Sequence, residues 1–195
     1  MTDLTASQAT APAGAASAVS WAAILAGAVV ALAVSLIMVT LGSGLGAAAV
    51  SPWPNVGPGP ATFTVMTGVW LIITQWVSAA IGGYLTGRLR TRWVSLHTHE
   101  VFFRDTAHGL LAWSVATAVV AALAATAAAP AVHSVGAALA AGGTPDASDA
   151  ARQAADSARK AAVGLSLFTS VSMLVGAFIA CVSAALGGQL RDLHP

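Results

Sequence analysis

Five side chains that can bind a metal ion lie close together in the chain, in a hydrophilic stretch between two long apolar segments. They are His97, His99, Glu100, Asp105 and His108. On extended backbone a His-x-His pair points both imidazoles to one side, and on a helix two residues spaced i,i+3, such as Asp105 and His108, share a face. Imidazole and carboxylate groups are ligands of zinc and of other divalent ions. The stretch therefore supports the hypothesis of a metal-binding or catalytic site.

The same residues also have a purely structural explanation. Asp105 or Thr106 is a suitable N-cap for the apolar helix that follows, where a carboxylate near the positive helix end stabilises the helix by about 0.3 to 1 kcal/mol. Glu100 can neutralise one of the arginines that precede it. Phe102 and Phe103 can anchor the stretch at the membrane interface. We prefer this structural interpretation over metal binding.

The segments that must position these residues are strongly apolar. Of the 195 residues, 57% are hydrophobic and 8% are charged, and the mean hydropathy is +0.80. A soluble domain carries roughly 25% charged residues, so an ordinary cytosolic enzyme is excluded. The net charge of +1 argues against a nucleic-acid partner. The single cysteine, Cys181, excludes an internal disulfide framework.

Four segments are long and apolar enough to cross about 30 Å of hydrocarbon as helices. The fold class that follows is all-α, an integral membrane four-helix bundle over residues 21–190. Its spans are predicted at about 21–50, 61–87, 106–129 and 161–190. A turn that contains four prolines ends the first span, and Pro130 is expected to close the third.

Between and around these spans the sequence predicts four hydrophilic or irregular segments. They are a disordered cytoplasmic tail over 1–20, a cytoplasmic loop over 88–105, an outer connection with a helical extension over 130–160, and a cytoplasmic C-terminus over 191–195. The fourth helix is expected to begin outside the membrane and to enter it without a break.

The basic residues predict the orientation, because Lys and Arg near span ends are retained on the cytoplasmic side. The loop between the first two spans has none, whereas the next loop contains four, Arg88, Arg90, Arg92 and Arg104. Both termini are therefore expected in the cytoplasm. Arg159 and Lys160, at the outer end of the fourth span, weakly oppose this orientation.

Small residues predict how the helices pack, since helices in lipid associate where their backbones can approach closely. The glycines expected at helix contacts are Gly27, Gly82, Gly83, Gly87, Gly176, Gly187 and Gly188. The motif Ser-Ala-Ala-x-Gly-Gly occurs at 78–83 and again at 183–188. This repeat predicts two parallel helical hairpins related by a pseudo-two-fold axis along the membrane normal, with the two motifs at one depth. Independent convergence on small residues is the alternative explanation.

Ionisable side chains are missing from the interior of the predicted spans, with His108 at the inner boundary of the third. Ion-coupled transporters, proton pumps and charge-lined channels place such groups at membrane depth, so these classes are disfavoured. Haem ligation by two histidines inside the bundle is disfavoured for the same reason. We expect no cofactor.

Two motifs resemble a pattern found in bacterial multi-pass inner-membrane proteins that have no established activity. The first is Gly-Gly…Arg in GGYLTGRLR at 82–90, and the second is HTHEVFFRDTAHG at 97–109, where His-Gly opens the third helix. The resemblance covers about residues 21–190 and includes the turn Ser51-Pro52-Trp53. It implies two helical hairpins in a bacterial inner membrane, and it implies nothing about a substrate.

Three functions remain open. We expect foremost a non-enzymatic membrane protein that acts through helix packing, either with itself or as an accessory or structural subunit of a larger membrane complex. The alternative is a transporter or pore for a small neutral or apolar solute, with Gln75 in its path. The second alternative is a membrane protein with a metal-binding cytoplasmic loop. The lipid bilayer is a partner in all three.

Overall fold

The computed structural model describes residues 18–51, 53, 56–92, 97–140 and 145–193. These residues form four helices and no strand: α1 (Trp21–Ala49), α2 (Pro60–Leu89), α3 (Thr98–Ala140) and α4 (Pro145–Leu193). Each helix contains a segment of 28 or 29 residues that is apolar enough to cross a membrane. The chain is therefore a multi-pass membrane protein, and the predicted all-α bundle is confirmed.

Two predicted segments fall partly outside this description. Of the tail predicted over 1–20, only residues 18–20 belong to the described part of the chain. Of the C-terminus predicted over 191–195, residues 194 and 195 lie outside it.

Helix α3 is longer at both ends than the predicted third span. It begins at Thr98, where the backbone N–H groups of Glu100 and Val101 donate to the carbonyl of His97 at 3.0 and 3.1 Å. The carboxylate of Glu100 in the first turn suits the positive end of the helix. At the other end α3 continues through Pro130 to Ala140, so the expectation that Pro130 closes the helix is wrong. The loop predicted over 88–105 shrinks accordingly to the residues between Leu89 and Thr98.

Helix α4 enters the membrane without a break, as expected. Its 49 residues correspond to about 74 Å, against about 30 Å of hydrocarbon. In the extension, Asp149 pairs with Arg152 at 2.9 Å, and Asp156 pairs with Arg159 and Lys160, both at 2.7 Å. Hydrogen bonds from Lys160 and Arg159 lower the pKa of Asp156 below its ordinary value of 3.8.

The connection between α1 and α2 turns sharply at Gly57, whose φ is +106°. A side chain is strained at this φ, and a Cβ there would also lie 3.1 Å from the carbonyl oxygen of Ala49. The glycine therefore allows the chain to reverse directly after α1.

The four helices form two hairpins that lie side by side in the same sense. Within the described chain α1 contacts α2 and α3, α4 contacts α2 and α3, α2 also contacts α3, and α1 and α4 do not touch. Ser20 is hydrogen-bonded to His108, and Ala31 packs with Ala116. Since the later residue of α1 contacts the later residue of α3, these two helices run parallel. Gly83 and Gly87 lie against successive turns of α4, so α2 runs parallel to α4.

This arrangement differs from the expected pseudo-two-fold. A two-fold axis would match the contact between α2 and α3 with one between α1 and α4, which is missing from the described residues. The physical reason is that Ala180 of α4 is shared by Gly83 of α2 and Gly109 of α3, so the small face of α4 turns away from α1. The hairpins are related more nearly by a translation.

The repeated motifs also lie at different depths. A Cβ added to Gly83 would be 2.8 Å from the Cα of Ala180, whereas Gly188, its counterpart in the repeat, lies against Asp105. Since 180 and 188 are about two helical turns apart, the Gly-Gly pairs do not face each other. Each pair serves a different contact.

Packing is tight in one half of the bundle and open in the other. We call the end that carries Ser20, Arg90, Asp105, His108 and Arg191 the cluster end, and the opposite end the distal end. The buried residues of α1 are Ala23, Ile24, Gly27, Ala28 and Ala31, all toward the cluster end. Among the described residues, none of 32–49, 61–73, 117–126 or 166–171 is buried.

Glycines make the tight half possible. A Cβ added to Gly82 would be 2.7 Å from the Cβ of Ala31 on α1, and one added to Gly87 would collide with the Ala184 carbonyl of α4. Gly27 is closed off by Thr86 and Gly82 in the same way. The glycines that the sequence assigned to helix packing therefore lie at contacts between helices of the same chain.

Replacing Gly87 with alanine should destabilise the bundle by about 1 to 3 kcal/mol, because the added methyl group must push α2 away from the α4 backbone. The matched control is Gly44→Ala on α1, where no atom lies within 4 Å of the added Cβ. Denaturation of the purified protein in detergent, followed by circular dichroism, measures both. Equal unfolding midpoints for the two variants would contradict this account of the packing.

Candidate functional site

Three charged side chains from three helices meet at the cluster end. We call Arg90, Asp105 and Arg191 the ion-pair cluster. The side chain of Arg90 is 0% exposed, and its Nε donates to Oδ1 of Asp105 at 2.5 Å. Arg191 approaches the other carboxylate oxygen, Oδ2, at 3.9 Å. One buried carboxylate thus lies between two guanidinium groups.

The cluster also closes the end of α2. Nη1 of Arg191 donates to the carbonyl oxygens of Gly87 and Arg90, both at 3.0 Å. Carbonyl groups at a helix C-terminus have no partner within the helix and carry partial negative charge, so a cation is well placed there. Asp192 balances the arrangement, because it accepts from Arg191 at 2.9 Å and pairs with Arg92 at 3.7 Å.

The start of α1 is attached to the same end through His108. The backbone N–H of Ser20 donates to Nε2 of His108 at 2.9 Å, so Nε2 is unprotonated. Nδ1 then carries the proton and donates to the carbonyl of Arg104 at 2.6 Å. Ser20 makes no side-chain cap hydrogen bond, and His108 instead holds this N-cap residue in place by accepting its backbone N–H.

The five candidate metal ligands do not come together. His97 and His99 are exposed, Glu100 pairs with Arg104 at 2.6 Å, Asp105 belongs to the ion-pair cluster, and both ring nitrogens of His108 are in hydrogen bonds. Within the part of the chain that the structure describes, no three His, Cys, Asp or Glu side chains are grouped as metal ligands.

Several roles assigned from the sequence change. Asp105 and Thr106 are not N-caps, because α3 begins at Thr98. Glu100 pairs with Arg104, one turn along its own helix, and not with an arginine upstream of it.

The four arginines that predicted the topology differ in exposure. Arg90 is buried, Arg104 is half-buried, and Arg88 and Arg92 are exposed. Gly188 leaves room for the carboxylate of Asp105, since a Cβ there would strike Oδ2.

A cavity of about 260 Å³ lies beyond the tight half of the bundle, and all four helices line it. Ala31, Ala79, Gly82, Gly83 and Ala116 line the side toward the cluster end. On the distal side the lining residues Val120, Ala121, Ala124 and Thr169 are exposed. The cavity is therefore closed toward the cluster end and open toward the distal end.

Polar side chains reach this cavity near the middle of the membrane. Ser35 lies at the midpoint of α1, and Gln75 lies at the midpoint of α2. Thr117 and Trp113 contribute from α3, and Thr169 from α4. Polar groups at membrane depth that face the bundle interior can hydrogen-bond with a neighbouring helix or with a bound molecule.

Gly176 permits two of these side chains to cover one wall of the cavity. A Cβ added to Gly176 would lie 3.0 Å from Nε2 of Gln75 and 3.2 Å from Nε1 of Trp113. The sequence identified Gly176 as a helix-packing glycine. A Cβ added to Gly176 would meet two long side chains, whereas one added to Gly83 or Gly87 would meet the backbone of α4.

Comparison with known proteins adds no family assignment. No protein-family model, no curated protein and no solved structure matches the chain. The proposed function is therefore based on the geometry of the cavity and of the ion-pair cluster.

Replacing Asp105 with asparagine should cost about 3 to 5 kcal/mol of stability, because it leaves the buried Arg90 guanidinium without its counter-charge. The matched control is Asp149→Asn, which removes a carboxylate paired with Arg152 on the exposed surface of α4 and should leave stability nearly unchanged. Unfolding midpoints in detergent measure both changes. An Asp105→Asn variant as stable as the control would rule out a structural role for the ion-pair cluster.

Proposed function

We propose that the protein binds a small neutral or apolar solute in the mid-membrane cavity and mediates its passage across the membrane. The observation that supports this most directly is the cavity itself, which is lined by all four helices and open toward the distal end. A stable packing module has no need of an unfilled volume at the centre of its bundle, since interiors are normally close-packed.

The lining argues for an uncharged solute. None of the described residues around the cavity is an Asp, Glu, Lys, Arg or His. A charged solute would leave water without a counter-charge, which is costly in a low-dielectric site. The buried charges of the protein lie instead at the cluster end, where they neutralise one another.

Helix packing with a partner is the second candidate, and one observation favours it. The distal half of α1 presents a shallow apolar groove that none of the other three described helices fills, lined by Leu36, Ile37, Thr40, Leu41, Gly44 and Leu45. A second copy of the chain, or another subunit of a membrane complex, would bury this groove. The glycines first assigned to such association are already used inside the chain, so this candidate now rests on α1. Neither candidate includes an enzymatic step.

We further propose a bacterial inner membrane as the location, with the cluster end and both termini in the cytoplasm. Arg88 and Arg92 are exposed at that end, close to the ends of α2 and α4. Basic residues of the distal extension are paired with acidic ones on the same helix, as with Asp149 and Arg152. This distribution follows the retention of basic residues in the cytoplasm.

Reconstituted vesicles should admit small neutral solutes such as glycerol, urea or acetamide faster than protein-free vesicles do. Replacing Gln75 with leucine should slow this entry by roughly tenfold or more, because about two hydrogen bonds of about 1 kcal/mol are lost. The control is Ser114→Ala, whose hydroxyl donates to the carbonyl of Leu110 on an exposed face of α3. Stopped-flow light scattering measures the entry rates. A panel of solutes without any protein-dependent entry would refute the proposal of transport.

Orientation has its own test. In a Cys181→Ala background, Asp149→Cys should react in intact cells with a maleimide that cannot cross the inner membrane. His97→Cys, also exposed, should react only after the cells are opened. The reverse pattern of labelling would place the cluster end outside the cytoplasm.

A further inference from the structure

Six hydroxyl groups away from the cavity are hydrogen-bonded within their own helices. Each of these six donates to the backbone carbonyl three or four residues earlier, at 2.8 or 2.9 Å; they belong to Thr40, Ser43, Thr67, Ser114, Thr126 and Ser170. A serine or threonine that is not needed elsewhere in a membrane helix satisfies itself in this way.

The polar side chains that line the cavity behave differently. Ser35, Gln75, Thr117 and Thr169 make no side-chain hydrogen bond to any other described residue. Ser78 is the exception among the lining residues, since its hydroxyl donates to the carbonyl of Gln75 at 3.1 Å. The cavity therefore presents hydrogen-bonding groups that are not used by the fold.

Further unused polar atoms belong to the lining residue Trp113 and to Thr74 and Ser172, which precede the lining residues Gln75 and Met173 in the chain. Nε1 of Trp113, Oγ1 of Thr74 and Oγ of Ser172 are buried and have no hydrogen-bond partner. Thr74 and Ser172 are only 5% and 7% exposed. A buried polar group without a partner costs about 1 to 3 kcal/mol. Such a concentration at one level of the bundle indicates a place where a polar molecule binds.

Size and lining restrict what that molecule can be. At about 30 Å³ for each water molecule in the liquid, the cavity volume of about 260 Å³ corresponds to about nine waters. Ala79, Ala116, Val120 and Met173 supply apolar walls, and no ionisable side chain occurs among the described lining residues. The ligand must combine an apolar body with an uncharged hydrogen-bonding group.

We propose that the cavity is a binding site for a small uncharged molecule with a hydroxyl group on a compact apolar body. The Gln75 carboxamide both donates to and accepts from the hydroxyl, Ser35 and Thr117 offer further partners, and the alanine and valine walls hold the apolar body. This inference rests on the proposed function and narrows its solute class, because it excludes molecules that are purely apolar.

The test uses two probes of the same shape, cyclohexanol and methylcyclohexane, which differ in the hydroxyl group. Titration into the full-length protein in detergent, followed by nuclear magnetic resonance of the side-chain amides, reports on Gln75. Gln75→Leu assigns its signal, and Gln153, exposed on the α4 extension, is the internal control. Cyclohexanol should shift the Gln75 amide saturably and leave Gln153 unchanged, and methylcyclohexane should do neither.

Two variants of α3 test whether cyclohexanol binds in the cavity or elsewhere on this helix. Thr117→Val keeps the shape of the side chain and should weaken cyclohexanol binding by roughly 2- to 12-fold, as expected for one neutral hydrogen bond. Ser114→Ala, three residues away on the exposed face, should leave the affinity unchanged.

Each other outcome overturns a defined part of the proposal. Equal responses to the two probes would mean that the site recognises apolar bodies alone, and no response to either would mean that the cavity is not a binding site. A Gln75 response in a protein that shows no solute flux would leave the binding site in place and remove transport. Solute flux through a protein that binds cyclohexanol and methylcyclohexane equally would contradict recognition of the hydroxyl group and leave the proposal of transport in place.

Discussion

The buried carboxylate of Asp105 is the constraint on which the rest of the bundle depends. A charge in this position is tolerable only because Arg90 and Arg191 arrive from two other helices to neutralise it. That requirement fixes the rotation and the height of α2, α3 and α4 relative to one another. His108, one turn further along α3, then fixes where α1 begins. With all four helices set at one end, the small residues that follow can meet in register, and Gly188 is needed so that the carboxylate has room.

The division into a tight half and an open half follows from this anchoring. Near the cluster end the contacts run through glycine and alanine, so helix backbones almost touch, as between Gly87 and Ala184. Beyond Thr74 and Ser172, toward the distal end, none of the described residues 61–73 of α2 or 166–171 of α4 is buried, and the same holds for 32–49 of α1 and 117–126 of α3. The cavity lies at the boundary between the tight half and the open half. Its polar groups are therefore held by a rigid base on one side and remain accessible from the other.

Much of the fold was predictable from the sequence, because charge-free apolar segments of this length have few alternatives to membrane helices. The continuity of α4 could be anticipated from helical charge spacing near Asp149 and Arg152. The length of α3 could not, since Pro130 normally ends a helix and here does not. The ion-pair cluster was also missed, because Arg90 and Arg191 are 101 residues apart in the chain and only tertiary structure brings them together. Gln75 was singled out by its depth in the second span, whereas the hydrogen-bonding state of Ser35 and Thr117 requires the packed bundle.

The exposed lining of the cavity has a consequence for how a solute would arrive. Helices α1 and α4 lie at opposite corners of the bundle, with α2 and α3 in contact between them. The exposed flank of the cavity is therefore the one formed by Val120, Ala121, Ala124 and Thr169 of α3 and α4, and because these residues belong to membrane-spanning segments this flank faces the acyl chains. A solute that comes through this flank would first have to dissolve in the bilayer. Occupancy of the cavity would then follow the lipid–water partition coefficient of the solute, and one aqueous concentration would fill it to different extents in membranes of different lipid composition.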